Sequence, residues 1–258
     1  MTSLNYQKNI KNLRFFHNKI KLYLLKQVCG ELNNTNISLF DIGVGRGGDI
    51  LKWERCGIRK VIGFDPDQTS IDDANKRIYD RPVQNCNISL FCCPSIEYLE
   101  LQDASFSIIS CQFAIHYFFE TSSKLRNMLK HVKRLISKHG YFIGSFMNAN
   151  KINEYLQDNV YINEAMMIKK MNSHQSQFGE VIHVHLSGTL YFAEDCVSIE
   201  YMVYPDILIK ECNRIGLDLV EIKPFEQHLK HMNEYNIQMD EHHKICSFMY
   251  SSFIFRNT

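Results

Sequence analysis

The 258-residue sequence has almost no net charge: 29 lysines and arginines stand against 28 aspartates and glutamates, leaving +1. That balance excludes a global basic field. A nucleic-acid partner must be held by a local patch or through one recognised nucleotide. No block of five basic residues occurs, so no simple nuclear address is visible. No apolar run approaches the ~20 residues that span a bilayer, and the opening MTSLNYQKNIKN is too polar for a secretory signal. The nine cysteines show no C-x-x-C spacing, and the adjacent Cys92 and Cys93 suit neither a zinc knuckle nor an easy disulfide. Most lie in apolar runs, as Cys111 and Cys246 do, which predicts reduced core residues of an intracellular protein. No metal-ligand spacing, internal repeat or low-complexity tract is present. What remains is an ordinary globular balance, 45 % hydrophobic and 22 % charged. The expected compartment is the cytoplasm, with the nucleus as the alternative.

What is present is concentrated in Leu39–Asp49, LFDIGVGRGGD. It predicts a buried strand ending in an acid, a glycine turn and the start of a helix. Gly43, Gly45 and Gly48 fit G-x-G-x-x-G, whose glycines permit a tight turn and close approach of a ligand to the backbone. The pattern suits nicotinamide, flavin and S-adenosylmethionine alike. Asp41 and Asp49 tilt it, because an acid at the mouth of the turn repels a pyrophosphate and suits the ammonium end of S-adenosylmethionine. Asp65 stands at the tip of the next strand, 22 residues after Gly43. There a carboxylate accepts both hydroxyls of an adenosine ribose. Asp67 is the better candidate for the cap of the helix that follows.

Helical spacing of Leu13, Phe16, Ile20, Leu24 and Val28 predicts a helix over 9–30, followed by a turn at 33–36. Strands are expected at 39–41, 59–64, 88–93, 106–111 and 141–146, alternating with helices at 50–56, 68–79 and 121–138. This rhythm predicts an α/β fold with a mostly parallel, doubly wound sheet. It breaks at 148–190, where short helices near 151–158 and 163–170 and a strand at 181–186 suggest an inserted lid rather than a second core. Further strands are expected at 198–202 and 218–223, a helix at 205–215 and a last strand over 245–255, forming an antiparallel edge hairpin. The whole reads as one domain, with an N-terminal helical segment (1–36), a donor-binding core (37–147), the insert (148–190) and a C-terminal part (191–258).

Six stretches together resemble the mRNA cap guanine-N7 methyltransferases, including the C-terminal domain of multifunctional viral capping enzymes. They are LRFFHNKIK (13–21), DIGVGRGGDILKW (41–53), SCQFAIHYFFE (110–120), GYFIGSF (140–146), IEYMVY (199–204) and YSSFIFR (250–256). The resemblance implies a class I methyltransferase fold, a three-layer sandwich with a seven-stranded sheet whose last strand is antiparallel. It implies S-adenosylmethionine as donor, S-adenosylhomocysteine as product and the terminal guanine of GpppRNA as acceptor. It implies that Lys21 reaches the donor carboxylate, that Gly43 lines the donor through its backbone, and that Gln112 and Tyr117 flank it. On the cap side it implies His17 and Asn18, with Arg46, Lys52 and Arg77 facing the triphosphate and His116, Glu200 and Tyr250 around the guanine. His17 replaces an asparagine of the family and Arg46 a lysine. Cys93 and Pro94 stand where the family has an Asp-Ser pair near the adenine. RNA triphosphatase and guanylyltransferase domains are expected in the same polypeptide or complex, and the protein itself is expected to be a monomer.

The chemistry so implied needs no general base, since guanine N7 carries a lone pair and no proton. Proximity and electrostatic preorganisation then carry the rate. Three alternatives stand beside it. The glycine pattern and Asp65 also permit a nicotinamide-dependent oxidoreductase, against which Asp41 and the lack of a hydride-transfer dyad speak. A methyltransferase for a small molecule or protein, and a binding module without turnover, complete the set.

Overall fold

The computed structural model describes residues 3–32, 35–172, 177–186, 197–230 and 235–258, with side chains from Ile10 onward in the first helix. Along the chain, α1 (Ser3–Leu32) leads to β1 (Ser38–Ile42), α2 (Ile50–Arg55), β2 (Lys60–Asp65), α3 (Gln68–Asp80), β3 (Asn87–Cys92) and β4 (Phe106–Gln112). There follow α4 (Ser122–Leu135), β5 (Ile136–Met147), α5 (Ala149–Tyr155), β6 (Val160–Ile162), β7 (Met166–Lys170), β8 (Val181–Leu186) and β9 (Ser198–Tyr201). The chain closes with α6 (Pro205–Arg214), β10 (Leu217–Pro224), α7 (Glu241–Phe248) and β11 (Tyr250–Asn257).

Seven strands form one sheet in the order β10-β11-β5-β4-β1-β2-β3. The pairings β3–β2–β1–β4–β5 are parallel, and β11 runs antiparallel to both neighbours. Side chains alternate across this sheet, so neighbouring residues enter different cores. Leu39 packs with Phe16, Ile20 and Leu24 of α1 and Trp53 of α2, whereas Phe40 packs with Leu125 and Leu129 of α4 and Leu208 of α6. These are the two helical layers of the expected sandwich. Phe16, Ile20 and Leu24 are at most 2 % exposed, and each such burial contributes about 2 kcal/mol.

Three expectations need correction. Residues 163–170 are not a helix. Asn163 Oδ1 accepts from the Ala165 and Met166 amides, both at 2.8 Å, making a turn that launches β7. Met166 and Ile168 then face inward while Lys169 faces out, a period of two that a short apolar run conceals. With β6, β8 and β9, β7 makes a four-stranded antiparallel sheet. Its Met166, Ile168, Ile182 and Val184 join the same core cluster as α1, so these strands of the insert pack against the core. Residues 136–138 belong to β5, where Ile136 pairs with Phe106. The expected 245–255 strand begins as a helix: Asp240 accepts from the His243 amide at 2.9 Å and caps α7. The strand that follows lies inside the sheet, between β5 and β10, and β10 is the edge. The 173–176 and 187–190 parts of the insert, and residues 33–34 of the expected turn, lie outside the described residues.

Candidate active site

The larger cleft, about 1090 Å³, opens at the carboxyl ends of β1, β2 and β4, where ligands of open α/β sheets bind. Its wall is the glycine turn. The Gly43 and Val44 amides both donate to the Phe64 carbonyl at 3.0 Å, tying β1 to β2. Gly43 has φ +74°, and a Cβ there would stand 2.7 Å from Ala114 Cβ. The turn therefore tolerates no side chain at this point. Gly47 (φ +71°) is the packing glycine, since a Cβ would press Ile50 at 2.5 Å and Ala74 at 3.0 Å, whereas Gly48 has open space. Asp65 Oδ2 accepts from the Gly45 amide at 2.8 Å and Oδ1 from the Asp67 amide at 3.0 Å. Two backbone donors thus fix the carboxylate on the cleft wall. Asp67 caps α3, accepting from the Thr69 and Ser70 amides. Gln112 lines the cleft with Oε1 held by Ser145 Oγ at 2.9 Å.

A charge network floors the mouth. Asp49 Oδ1 lies 2.8 Å from Lys21 Nζ and 2.7 Å from Lys52 Nζ. The two ammonium groups, working against burial, hold the Asp49 carboxyl below its usual range. Lys52 also donates to Asn18 Oδ1 and to the Gly48 carbonyl, both at 2.7 Å. Its three donors are taken and it is buried, so it braces α1 against the turn instead of facing a triphosphate. Asn18 is likewise committed, its amide donating to the Arg14 carbonyl at 2.8 Å. Asp41 does not reach the cleft. It is 2 % exposed, and burial together with the Asp49 charge raises its ionisation to about 7.

That shift has a testable sign. A carboxyl whose folded pKa exceeds its unfolded value binds more protons in the native state, so its ionisation lowers stability as pH rises from about 4 toward 7. Asp41→Asn should therefore gain about 2 kcal/mol relative to the parent between pH 5 and pH 8 in denaturant titrations. A pH-independent difference would show that Asp41 titrates as a solvated carboxyl.

A second cavity, about 300 Å³, adjoins the cleft. It is walled by α1, the 115–120 turn, the second sheet, α7 and the start of β11. Glu200, on β9, accepts from Ser198 Oγ at 3.0 Å, and its Oε2 lies 3.7 Å from His116 Nδ1. Burial holds the His116 ring below its usual pKa, keeping it neutral, and its buried Nε2 has no hydrogen-bond partner among the described residues. His17 bonds Ser247 Oγ through Nε2 at 2.9 Å and stacks on Phe113, with centroids 5.5 Å apart and planes at 22°. Burial and the Lys21 charge push its pKa down to about 3. Buried Tyr250 meets His17 edge-on at 5.2 Å.

Arg14, Phe113 and Tyr117 line both spaces. Tyr117 is 52 % exposed and packs on the His116 ring at 4.1 Å, whereas Phe113 is held by its backbone. Phe113 has φ +56° and donates its amide to the Ser145 carbonyl at 2.9 Å. Such a conformation is uncommon in an aromatic residue, and it turns the ring into the boundary between the two spaces. Arg14 and Phe113 were not among the expected site residues, and nothing in residue type or spacing announces a left-handed backbone at 113. Arg46 and Arg77 stand on the larger cleft, Arg46 paired with Asp73 at 3.1 Å. Cys93 is buried behind the wall that Pro94, Ser95 and Ile96 present to the cleft, its Sγ facing the Ser95 carbonyl at 3.5 Å.

The residues present fit a donor that is both nucleoside and amino acid. A carboxylate pinned by backbone amides faces the cleft, a side-chain-free turn admits close approach, and opposite charges at the mouth match a zwitterion.

Solved structures share the fold. The CcbJ methyltransferase of Streptomyces caelestis superposes with TM-score 0.61 over 90 % of this chain and 88 % of that one, at 15 % identity. An S-adenosylmethionine-dependent methyltransferase of Clostridium acetobutylicum superposes with TM-score 0.57 over 88 % and 87 %, at 14 % identity. The architecture is thus that of class I S-adenosylmethionine-dependent methyltransferases. In sequence, the mRNA cap guanine-N(7) methyltransferase of Schizosaccharomyces pombe is 28 % identical over 239 residues, 86 % of this chain and 65 % of its own length. That of Arabidopsis thaliana is 28 % identical over 83 % of this chain and 61 % of its own length. A probable mRNA-capping enzyme of Acanthamoeba polyphaga mimivirus is 25 % identical over 84 % of this chain and 22 % of its own. The chain therefore spans less than two thirds of these relatives. The mRNA (guanine-N(7))-methyltransferase domain model matches residues 4–251, and the chain belongs to that family.

Proposed function

We propose that this chain transfers a methyl group to N7 of the terminal guanine of GpppRNA. The observation that carries the reading is the pair Glu200 and His116 in a cavity that shares Arg14, Phe113 and Tyr117 with the donor cleft. Glu200 accepts from guanine N1–H and the N2 amine, a donor pair that adenine does not offer. Neutral His116, in the tautomer that carries its proton on Nε2, offers O6 a donor from that nitrogen, which has no hydrogen-bond partner among the described residues. Guanine held at those edges is free to direct N7 toward the cleft across the Phe113 ring. Bound in that cleft, S-adenosylmethionine supplies an electrophilic methyl group on a sulfonium. The chain's own work is positioning: Asp65 holds the ribose, Lys21 the donor carboxylate, and Gln112 and Tyr117 border the reacting centre. Glu200 also stabilises the cationic base that forms, an electrostatic contribution made without reorganisation. The activities that form GpppRNA come from neighbouring domains or partners, and the size of the mimivirus relative supports this arrangement. On this reading the chain acts as a monomer, in the cytoplasm or alternatively the nucleus.

The test is transfer of a labelled methyl group to GpppRNA, with nuclease digestion to map the label and with GTP and ApppRNA as controls. Label on N7 of the terminal guanine, and none on ApppRNA, is expected. Label on another acceptor alone would move the protein to a different substrate.

A further inference from the structure

The near-neutral chain hides a local asymmetry. From Ser3 to Gly30, α1 carries six basic residues and no acidic one, while the remaining sequence holds 23 basic and 28 acidic residues. The asymmetry continues into the structure. Lys11, Lys26 and Arg55 are exposed, and Lys19 is half-buried between them. Lys19 sits at lowered pKa through partial burial and the nearby charges of Arg55 and Lys26. No ion pair involves any of these four among the described residues. Some cations elsewhere, Arg126, Arg134 and Lys151 among them, are matched by Glu211, Asp103 and Glu154. Crowded like charges without counter-ions cost stability, and an incoming polyanion would relieve that cost.

Two aromatic rings interleave with these charges. Phe15 is 43 % exposed and Tyr235 44 %, and they meet edge-to-face at 6.3 Å. Lys19 Nζ caps both, at 3.5 Å from the Tyr235 centroid and 4.9 Å from that of Phe15. Exposed rings flanked by cations are the combination that holds single-stranded nucleic acid, phosphates on the charges and bases on the rings. The stripe is continuous with the site, because Arg14, which lines both cavities, adjoins Phe15 on α1.

Resting on the cap-methylation reading above, we propose that the outer face of α1, with Arg55 and Tyr235, is the track along which the transcript leaves the guanine cavity. From Arg14 to Lys26 the helix advances about 18 Å, room for roughly five nucleotides at stacked spacing. Contacts of this kind read charge and base faces and carry no sequence preference.

The experiment compares the whole chain with the variant Lys11→Gln/Lys19→Gln/Lys26→Gln/Arg55→Gln and with Phe15→Ala. Affinity for a capped RNA of about ten nucleotides is measured by anisotropy across a salt series, and methyl transfer is measured on that RNA and on GpppA. The four-site variant should bind the RNA about tenfold or more weakly, with the slope of log K against log salt reduced by about 3, since each contact to a single strand contributes about 0.7. Phe15→Ala should weaken RNA binding while leaving the salt slope unchanged. Both variants should methylate GpppA as the parent does, which also reports that they fold. Unchanged RNA affinity and salt slope in the four-site variant would overturn the track and leave the stripe to an acidic protein partner. Failure of the parent itself to methylate either substrate would instead overturn the cap reading on which the track depends.

Discussion

Glu200→Ala is expected to lower kcat/KM for GpppRNA about a thousandfold while leaving S-adenosylmethionine affinity within about twofold. Two hydrogen bonds to a charged acceptor are lost, each contributing about 1.5–3 kcal/mol, and the base loses the carboxylate that balances its new positive charge. Glu200 lies in the smaller cavity and not on the donor cleft, so the donor should bind as before. Glu200→Gln separates the two contributions. It preserves shape and one acceptor but turns an N–H toward the guanine donors, and a loss of about a hundredfold is expected. Labelled methyl transfer together with calorimetric donor titration makes the comparison. Unchanged activity of Glu200→Ala on capped RNA would remove Glu200 from the guanine site.

Asp65→Ala is expected to weaken S-adenosylmethionine binding at least about a hundredfold. The expectation rests on geometry: both oxygens are aimed by backbone amides, Oδ2 by Gly45 and Oδ1 by Asp67. Removing the carboxylate therefore takes away the ribose acceptor and also frees two amides of the turn. Ligand-induced stabilisation separates these effects. A site occupied at a hundred times its Kd gains about 2.7 kcal/mol, and the thermal shift that saturating donor gives the parent should vanish in Asp65→Ala. Asp65→Asn keeps an acceptor for Gly45, so it should retain most of the unliganded stability while losing most of the donor affinity. A parent-like shift in Asp65→Ala would sink the ribose assignment.

What could be read before any coordinates followed physical regularity. The β1–β5 rhythm was legible because strands buried on both faces are continuous apolar runs, and the helices between them show a period near 3.6. Asp65 was legible because its place at a strand tip follows from that rhythm. β7 was not, because AMMIKK is too short for period two and period 3.6 to part company, and the turn made by Asn163 settles it only in three dimensions. α7 was hidden for a related reason, its cap and apolar residues merging with the strand beyond. Lys52 illustrates a further limit. A lysine on a short helix reads as solvated or ligand-facing, and only the arrival of Asn18 from α1, 34 residues away in sequence, shows that it is a brace. Phe113 was invisible because backbone strain leaves no mark in composition.

The placement of β11 bears on how the protein comes into being. Tyr250 pairs with Met147 and Asn257 with Leu217, so β11 is inserted between two strands that precede it in the chain and must wait for it. Tyr250 also supplies a wall of the smaller cavity, and Ser247, just before it, holds His17 across a separation of 230 residues. A nascent polypeptide on the ribosome thus has a glycine turn and Asp65 long before it has a place for the base. Assembly of the smaller cavity should be a late and slow event, governed by closure of a loop of 230 residues.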